Sequence, residues 1–222
     1  MHDKRQLASV IEHAILQPGT ILSQVESGCE EALKYGFSAV CLPPLFVKKA
    51  AGILKGTSVK IVAAIGFPFG YQAIEAKLAE ILLAIVDGAD ELEIVINYTA
   101  VKNADWQYVA NEVNHLLSVV KNAGRSARFV VESGELERDE IQKCCALLAP
   151  ADVKMISTST GFRGSDITLE DVMFIGNQLP TSVGLKTFRT KLTLAELQAL
   201  QDAGVSRIGC ENGPSLMQEL AK

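Results

Sequence analysis

The sequence predicts an α/β fold, a single closed (β/α)₈ barrel in which parallel strands alternate with helices. Three observations predict it. Short β-branched runs alternate with amphipathic stretches along the whole 222-residue chain. Several runs are almost wholly apolar, as in Lys60-Ile61-Val62-Ala63-Ala64-Ile65, which suits parallel strands buried on both faces. No Pro/Gly/Ser-rich linker or low-complexity stretch divides the chain, so residues 1–222 are read as one domain of the TIM type. A doubly wound open sheet is the alternative for the same alternation.

Strands are expected at 9–13, 38–42, 59–65, 91–97, 128–132, 152–158, 182–187 and 206–210. A helix is expected over 72–87, where Ile74, Leu78, Ile81, Leu82 and Ile85 recur at a helical period. The stretch 106–122 does likewise with Val109, Val113, Leu116, Leu117 and Val120. Helices over 135–148, 169–178, 192–201 and 214–221 follow the later strands. Gly88, Gly124 and Gly204 stand where helices should stop. In such a barrel the functional groups gather at the C-terminal ends of the strands.

Composition narrows the function. The net charge is −5, with 21% charged residues, and no basic stripe or arginine-rich tail points to nucleic acid. No apolar run approaches the roughly 18 residues that span a bilayer. The polar start is not followed by a signal-type apolar region, so a cytoplasmic protein is expected. The cysteines Cys29, Cys41, Cys144, Cys145 and Cys210 are odd in number and form no C-x-x-C pair, which argues against a disulfide framework or a zinc site. His2, His13 and His115 form no ligand cluster. Neither a metal nor another cofactor is expected.

Seven segments then carry a resemblance. They are Ile11-Glu12-His13, Val40-Cys41 with Pro44, Gly66-Phe67-Pro68-Phe69-Gly70, the run from Gly88 to Asn97, Glu132-Ser133-Gly134-Glu135-Leu136, Ser157-Thr158-Ser159-Thr160-Gly161-Phe162, and Val205-Ser206-Arg207-Ile208-Gly209. In this order they resemble the deoxyribose-phosphate aldolase family over essentially the whole chain. The resemblance implies a class I aldolase, in which a lysine forms an imine with an aldehyde and the protonated imine draws electrons from the carbon–carbon bond. It also implies a second lysine that lowers the pKa of the first, and an aspartate on the fourth strand.

The sequence departs from that pattern where the chemistry should sit. Ser157 stands where the resemblance places the imine-forming lysine, and serine forms no imine. Lys154 lies at an odd offset from Ser157, so it should turn toward the helical layer or the surface. Lys186 matches the second lysine and Glu93 the aspartate. Either the pair is catalytic or it is a residual ion pair filling a polar lumen. Lys186 could replace the missing nucleophile only as a neutral amine, and Glu93 nearby favours its charged form. The Gly-Gly turn of the family is absent after Lys186, where Thr187-Phe188-Arg189-Thr190 follows directly. Glu211-Asn212-Gly213 replaces a Ser-Ser-Gly that opens the last helix. Asn212 or Glu211 is read as a helix cap, and Arg189 or Lys191 either holds an anion or is a solvated loop charge.

Lys186, Glu93 and Ser157 are thus the catalytic candidates. Substrate-binding candidates are Glu12, Cys41, Asn97, Glu132, Thr158, Thr160, Gly161 and Arg189. Cys41 is read as a small buried residue, His13 as a core or capping histidine that could also reach the mouth, and Glu132 equally as a structural carboxylate. No base beside Ser157 makes it a triad nucleophile. The leading expectation is a carbon–carbon lyase acting on a small aldehyde or sugar (phosphate), with altered or impaired chemistry. The alternatives are a degenerate barrel that binds a metabolite or partner, and a structural subunit. A homodimer is a possible assembly; no nucleic-acid or membrane partner is expected.

Overall fold

The structure is a computed structural model that describes residues 4–162 and 167–220. Strands β1 (Ile11–Ala14), β2 (Ala39–Leu42), β3 (Lys60–Ile65), β4 (Glu91–Val95), β5 (Ser126–Val130), β6 (Met155–Ser157), β7 (Gly184–Arg189) and β8 (Arg207–Cys210) pair in parallel, each with the next. β1 also pairs with β8, so the sheet closes into a barrel and leaves no edge. The expected fold class is therefore the observed one, and the open-sheet alternative is not.

Helices surround the barrel: α1 (Lys4–Ala8), α2 (Leu22–Tyr35), α3 (Val47–Ile53), α4 (Ile74–Asp87), α5 (Tyr98–Lys102), α6 (Trp106–Asn122), α7 (Arg138–Leu148), α8 (Leu169–Asn177), α9 (Leu194–Asp202) and α10 (Gly213–Glu219). The last residue of the helix expected over 214–221 lies outside the described residues. α2 and α3 were not anticipated. The buried face of α2 is built from Val25, Gly28, Cys29 and Ala32, an amphipathic stretch of small residues that the sequence reading passed over. Strand ends also differ from expectation. β6 has only three residues because Asp152 adopts a left-handed φ of 59° and turns the chain before it. β5 begins earlier and ends at Val130, and Glu132 is left-handed too, at φ 49°. β7 runs two residues beyond Thr187, to Arg189.

Alternation along the strands makes two cores. Outward residues such as Ile11, Val40, Ile61, Ile94, Phe129, Ile156 and Ile208 pack under the helices in one continuous cluster. Inward residues form a smaller apolar patch of Ala39, Cys41, Val62 and Ala64, contributed by β2 and β3. Charged side chains fill much of the rest of the lumen.

One polar anchor lies outside the lumen, between α4 and α6. Lys77 is fully buried, and its ammonium donates to the Gly70 carbonyl at 2.6 Å, the Val95 carbonyl at 2.7 Å and Glu112 Oε1 at 2.7 Å. Glu112 Oε2 accepts the Asn97 N–H at 2.8 Å. All three lysine donors are used, and both loops that leave β3 and β4 toward the barrel mouth are tied to one ion pair. Gly70 fits against this point because it has no side chain: a Cβ there would collide with the Ile96 carbonyl, and its φ is +65°. Burial pushes the Lys77 pKa down despite Glu112, and pushes that of Glu112 up despite Lys77, so each keeps its charge only through the other.

Removing one partner strands a buried charge. Lys77→Ala should cost about 3–5 kcal/mol, read by urea denaturation, whereas Lys77→Met with Glu112→Leu should recover much of the loss. Equal losses in the single and double variants would show that the pair is not what holds these loops.

Candidate active site

Strand alternation brings Glu12 of β1, Cys41 of β2, Glu91 and Glu93 of β4, Arg128 of β5, Lys186 of β7 and Arg207 of β8 into one network inside the barrel. Lys186 Nζ lies 2.5 Å from Glu12 Oε1 and also donates to Glu93. Arg128 Nη2 reaches Glu12 Oε2 at 2.8 Å and Glu91 Oε2 at 2.9 Å, and its Nε lies 3.6 Å from Glu93 Oε2. Arg207 completes the network on Glu91, with Glu12 at 3.4 Å. Three carboxylates thus face three cations, and the lumen is neutral in sum.

The electrostatics follow from that crowding. Burial works against the Lys186 ammonium, but Glu12 and Glu93 outweigh it and hold the lysine above its usual pKa. Burial likewise opposes the Glu12 carboxylate, yet Arg128, Lys186 and Arg207 pull its pKa far below the usual range. The Cys41 thiol is pushed well up, first by burial and then by Glu93 and Glu12, and lies 3.6 Å from Glu93 Oε2. It is not poised as a nucleophile. Glu12, Cys41 and Glu93 offer three donor atoms within 4.8 Å of one another, the spacing of a small metal site. The places beside both carboxylates are already taken by Lys186 and Arg128.

Ser157 is the register partner of Lys186, is fully buried, and its hydroxyl has no hydrogen-bond partner among the described residues. Lys154 is two-thirds exposed and pairs with Asp152 at 2.9 Å, so it lies on the surface as expected. Thr158 points away from Ser157 and donates to the Thr187 hydroxyl at 3.0 Å. Arg189 shares that outward side: its guanidinium donates to Thr187 Oγ1 at 3.2 Å and to the Phe188 carbonyl at 2.9 Å. Asn97 caps α5 through the Ala100 N–H at 3.1 Å. Thr158, Arg189 and Asn97 thus each make hydrogen bonds within the scaffold. Glu12 is fully buried within the ion network.

A cavity of about 400 Å³ opens above the network at the C-terminal ends of the strands, between Leu16, Phe67, Thr160, Gly161, Phe162, Phe188, Lys191 and Glu211. Glu132 shapes it from behind by accepting the Thr160 N–H at 2.9 Å. The expected capping of the last helix is not observed. Asn212 instead exchanges hydrogen bonds with the backbone of Leu192, at 2.8 and 2.9 Å, and Glu211 accepts from Gln17. His13 is a core residue packed beside Phe37, with ring centroids 6.0 Å apart, and burial lowers its pKa. Sequence reasoning gave no role to Glu91, Arg128, Arg207 or Phe188. The two-residue period could have found them, since Glu91 shares its phase with Glu93 and Phe188 with Lys186.

No family model matches the chain. Curated relatives do. The deoxyribose-phosphate aldolase of Thermoanaerobacter sp. (strain X514) is 35% identical over 217 residues, covering 97% of each chain. That of Aciduliprofundum boonei is 33% identical over 218 residues, covering 98% of each. Among solved structures, the aldolase QR15 superimposes with a TM-score of 0.90 at 29% identity, covering 97% of this chain and 96% of that one. The tetrameric deoxyribose phosphate aldolase of Aeropyrum pernix shares the fold at 23% identity, with a TM-score of 0.91, covering 99% of this chain and 93% of that one. With the barrel, the ordered motifs and relatives of this identity and coverage in hand, the chain belongs to the deoxyribose-phosphate aldolase family.

Proposed function

We propose that this chain is an aldolase-type carbon–carbon lyase for a small aldehyde or sugar (phosphate) whose imine chemistry is impaired. The observation that carries this reading is the state of Lys186. It is buried, bonded to Glu12 and Glu93, and held as an ammonium. An ammonium has no lone pair to attack a carbonyl. The hydroxyl of Ser157 stands beside it, in the place that the family resemblance gives to the imine-forming lysine. What remains is a cation that can donate a hydrogen bond to a carbonyl oxygen, and Glu93 to accept or return a proton. These groups can polarise a carbonyl, but without an imine they lack the electron sink of a class I aldolase.

A second reading, a barrel that binds a metabolite without turnover, is favoured by the saturation of the network: every carboxylate in it already faces a cation. Five free, buried cysteines suit the reducing cytoplasm that this reading assigns to the protein. No helix among the described residues is long and apolar enough to cross a membrane. Self-association as a homodimer belongs to the same proposal. The exposed Leu82, Leu83 and Val86 on α4 offer an apolar stripe for it, and light scattering tests it.

Borohydride trapping with acetaldehyde, read by intact mass and peptide mapping, should give no adduct on the native chain. Ser157→Lys should give one at residue 157. A stoichiometric adduct at Lys186 in the native protein would show that the nucleophile has moved and would overturn the reading. A folded Ser157→Lys protein that traps nothing would show that the rest of the site has decayed as well.

Lys186→Met tests the ammonium itself. Removing it leaves Glu93 without its lysine, which should cost about 3–5 kcal/mol near neutral pH. Urea denaturation reads the loss, and a variant as stable as the native chain would show that the lysine is not what holds the lumen together.

A further inference from the structure

One aromatic ring divides the lumen. Phe188 lies two residues beyond Lys186 on β7, on the same face and one layer nearer the mouth. Its ring fits because two neighbours have no side chain. A Cβ on Gly161, which holds φ +75°, would overlap the ring. Gly209 is the register partner of Phe188 on β8, and a Cβ there would lie 3.1 Å from Phe188 Cδ2 and 3.1 Å from Lys186 Cε. The same glycine therefore faces both layers, and the ring rests directly over the lysine. Phe188 also floors the mouth cavity. Beneath it Lys186 is 3% exposed and Ser157 is 0% exposed. The partnerless Ser157 hydroxyl lies on the closed side.

We propose that Phe188 is the specificity-determining residue of this barrel: its ring closes the lumen between the mouth cavity and the Lys186–Ser157 pair. A ligand of sugar-phosphate size then stays in the mouth, out of reach of both side chains, and only compounds small enough to pass the ring reach them. The walls of the mouth include Leu16, Phe67 and Phe162, and Glu211 and Lys191 place one carboxylate and one ammonium at its rim. The edge-to-face contact of Phe162 with Phe67, at 6.3 Å between centroids, extends the apolar wall above the Phe188 ring. The steric claim stands on the geometry alone. The choice of a sugar phosphate as the excluded ligand rests on the proposed function.

The test separates the two. Ser157→Cys places a thiol under the ring, and its alkylation by iodoacetamide, located by peptide mapping, reports access without any imine chemistry. Labelling at position 157 should be at least tenfold faster in Ser157→Cys with Phe188→Ala than with Phe188 intact. Phe188→Leu serves if the alanine variant does not fold, with a smaller acceleration in the same direction. Equal rates with and without the ring would overturn the proposal. In the Ser157→Lys background, borohydride trapping with deoxyribose 5-phosphate should give an adduct only when Phe188 is also replaced. An adduct in Ser157→Lys alone would overturn the exclusion of sugar phosphates. Faster labelling with no trapping in either protein would uphold the ring as the barrier and refute the lyase reading instead.

Discussion

The bridge from Lys186 to Glu12 and Glu93 joins strands β7, β1 and β4, which are not all neighbours in the sheet. Backbone ladders hold each strand only to the next one. This bridge, with Arg128 and Arg207 completing it, ties sides of the barrel that no ladder connects. Its energetic sign depends on completeness. Several buried ions cost a great deal to desolvate, and only full mutual pairing offsets that cost. The network approaches that condition with equal numbers of acids and cations, although Arg128 Nε is buried without a hydrogen bond and lies 3.6 Å from Glu93. The small apolar patch from β2 and β3 fills the remaining side of the lumen with residues no larger than valine, leaving the long charged side chains room to cross.

The Lys77–Glu112 pair follows the same logic between the sheet and the helices. There the ions serve loops rather than strands, because Lys77 binds the carbonyls of Gly70 and Val95 and Glu112 binds the N–H of Asn97. Backbone groups that leave the ends of strands have no ladder partner, and burying them unpaired is costly. One ion pair satisfies three of them and so sets where the β3 and β4 loops leave the barrel. The position of Phe67 in the mouth wall depends on that exit, so an interlayer contact far from the lumen shapes the cavity.

The barrel was legible in the sequence because its signal repeats. Runs such as Ile61 to Ile65 announce buried parallel strands, and closure follows from the number of them. Element ends were less legible, since tertiary partners set them: Asp152 turns left-handed before β6 and no local pattern declares it. Glu93 and Lys186 could be placed because they stand in segments that resemble the family's motifs. Lys77 and Glu112 could not. Each lies in an amphipathic helix beside apolar neighbours, Leu78 and Val113, and reads as a solvated charge. Their pairing is 35 residues long-range and leaves no mark on the local period. Asn212 and Glu211 misled for a related reason. Residues at a helix start are expected to cap it, but here the Leu192 backbone and Gln17 compete successfully for them.

Charge balance links the serine at 157 to the state of Lys186. A lysine at that position would add a fourth cation to a lumen with three carboxylates. Two ammonium groups as register partners repel, and the strain is relieved when one of them gives up its proton. That imbalance is what would generate a neutral, nucleophilic amine at ordinary pH. With serine there, no excess cation remains, and Lys186 settles as a fully paired ammonium. On the proposed reading, the arrangement that leaves the lumen neutral is also the one that removes its nucleophile. A functional lysine would have to be tolerated as an unfavourable charge in the core, in keeping with the general opposition between stability and activity at buried sites.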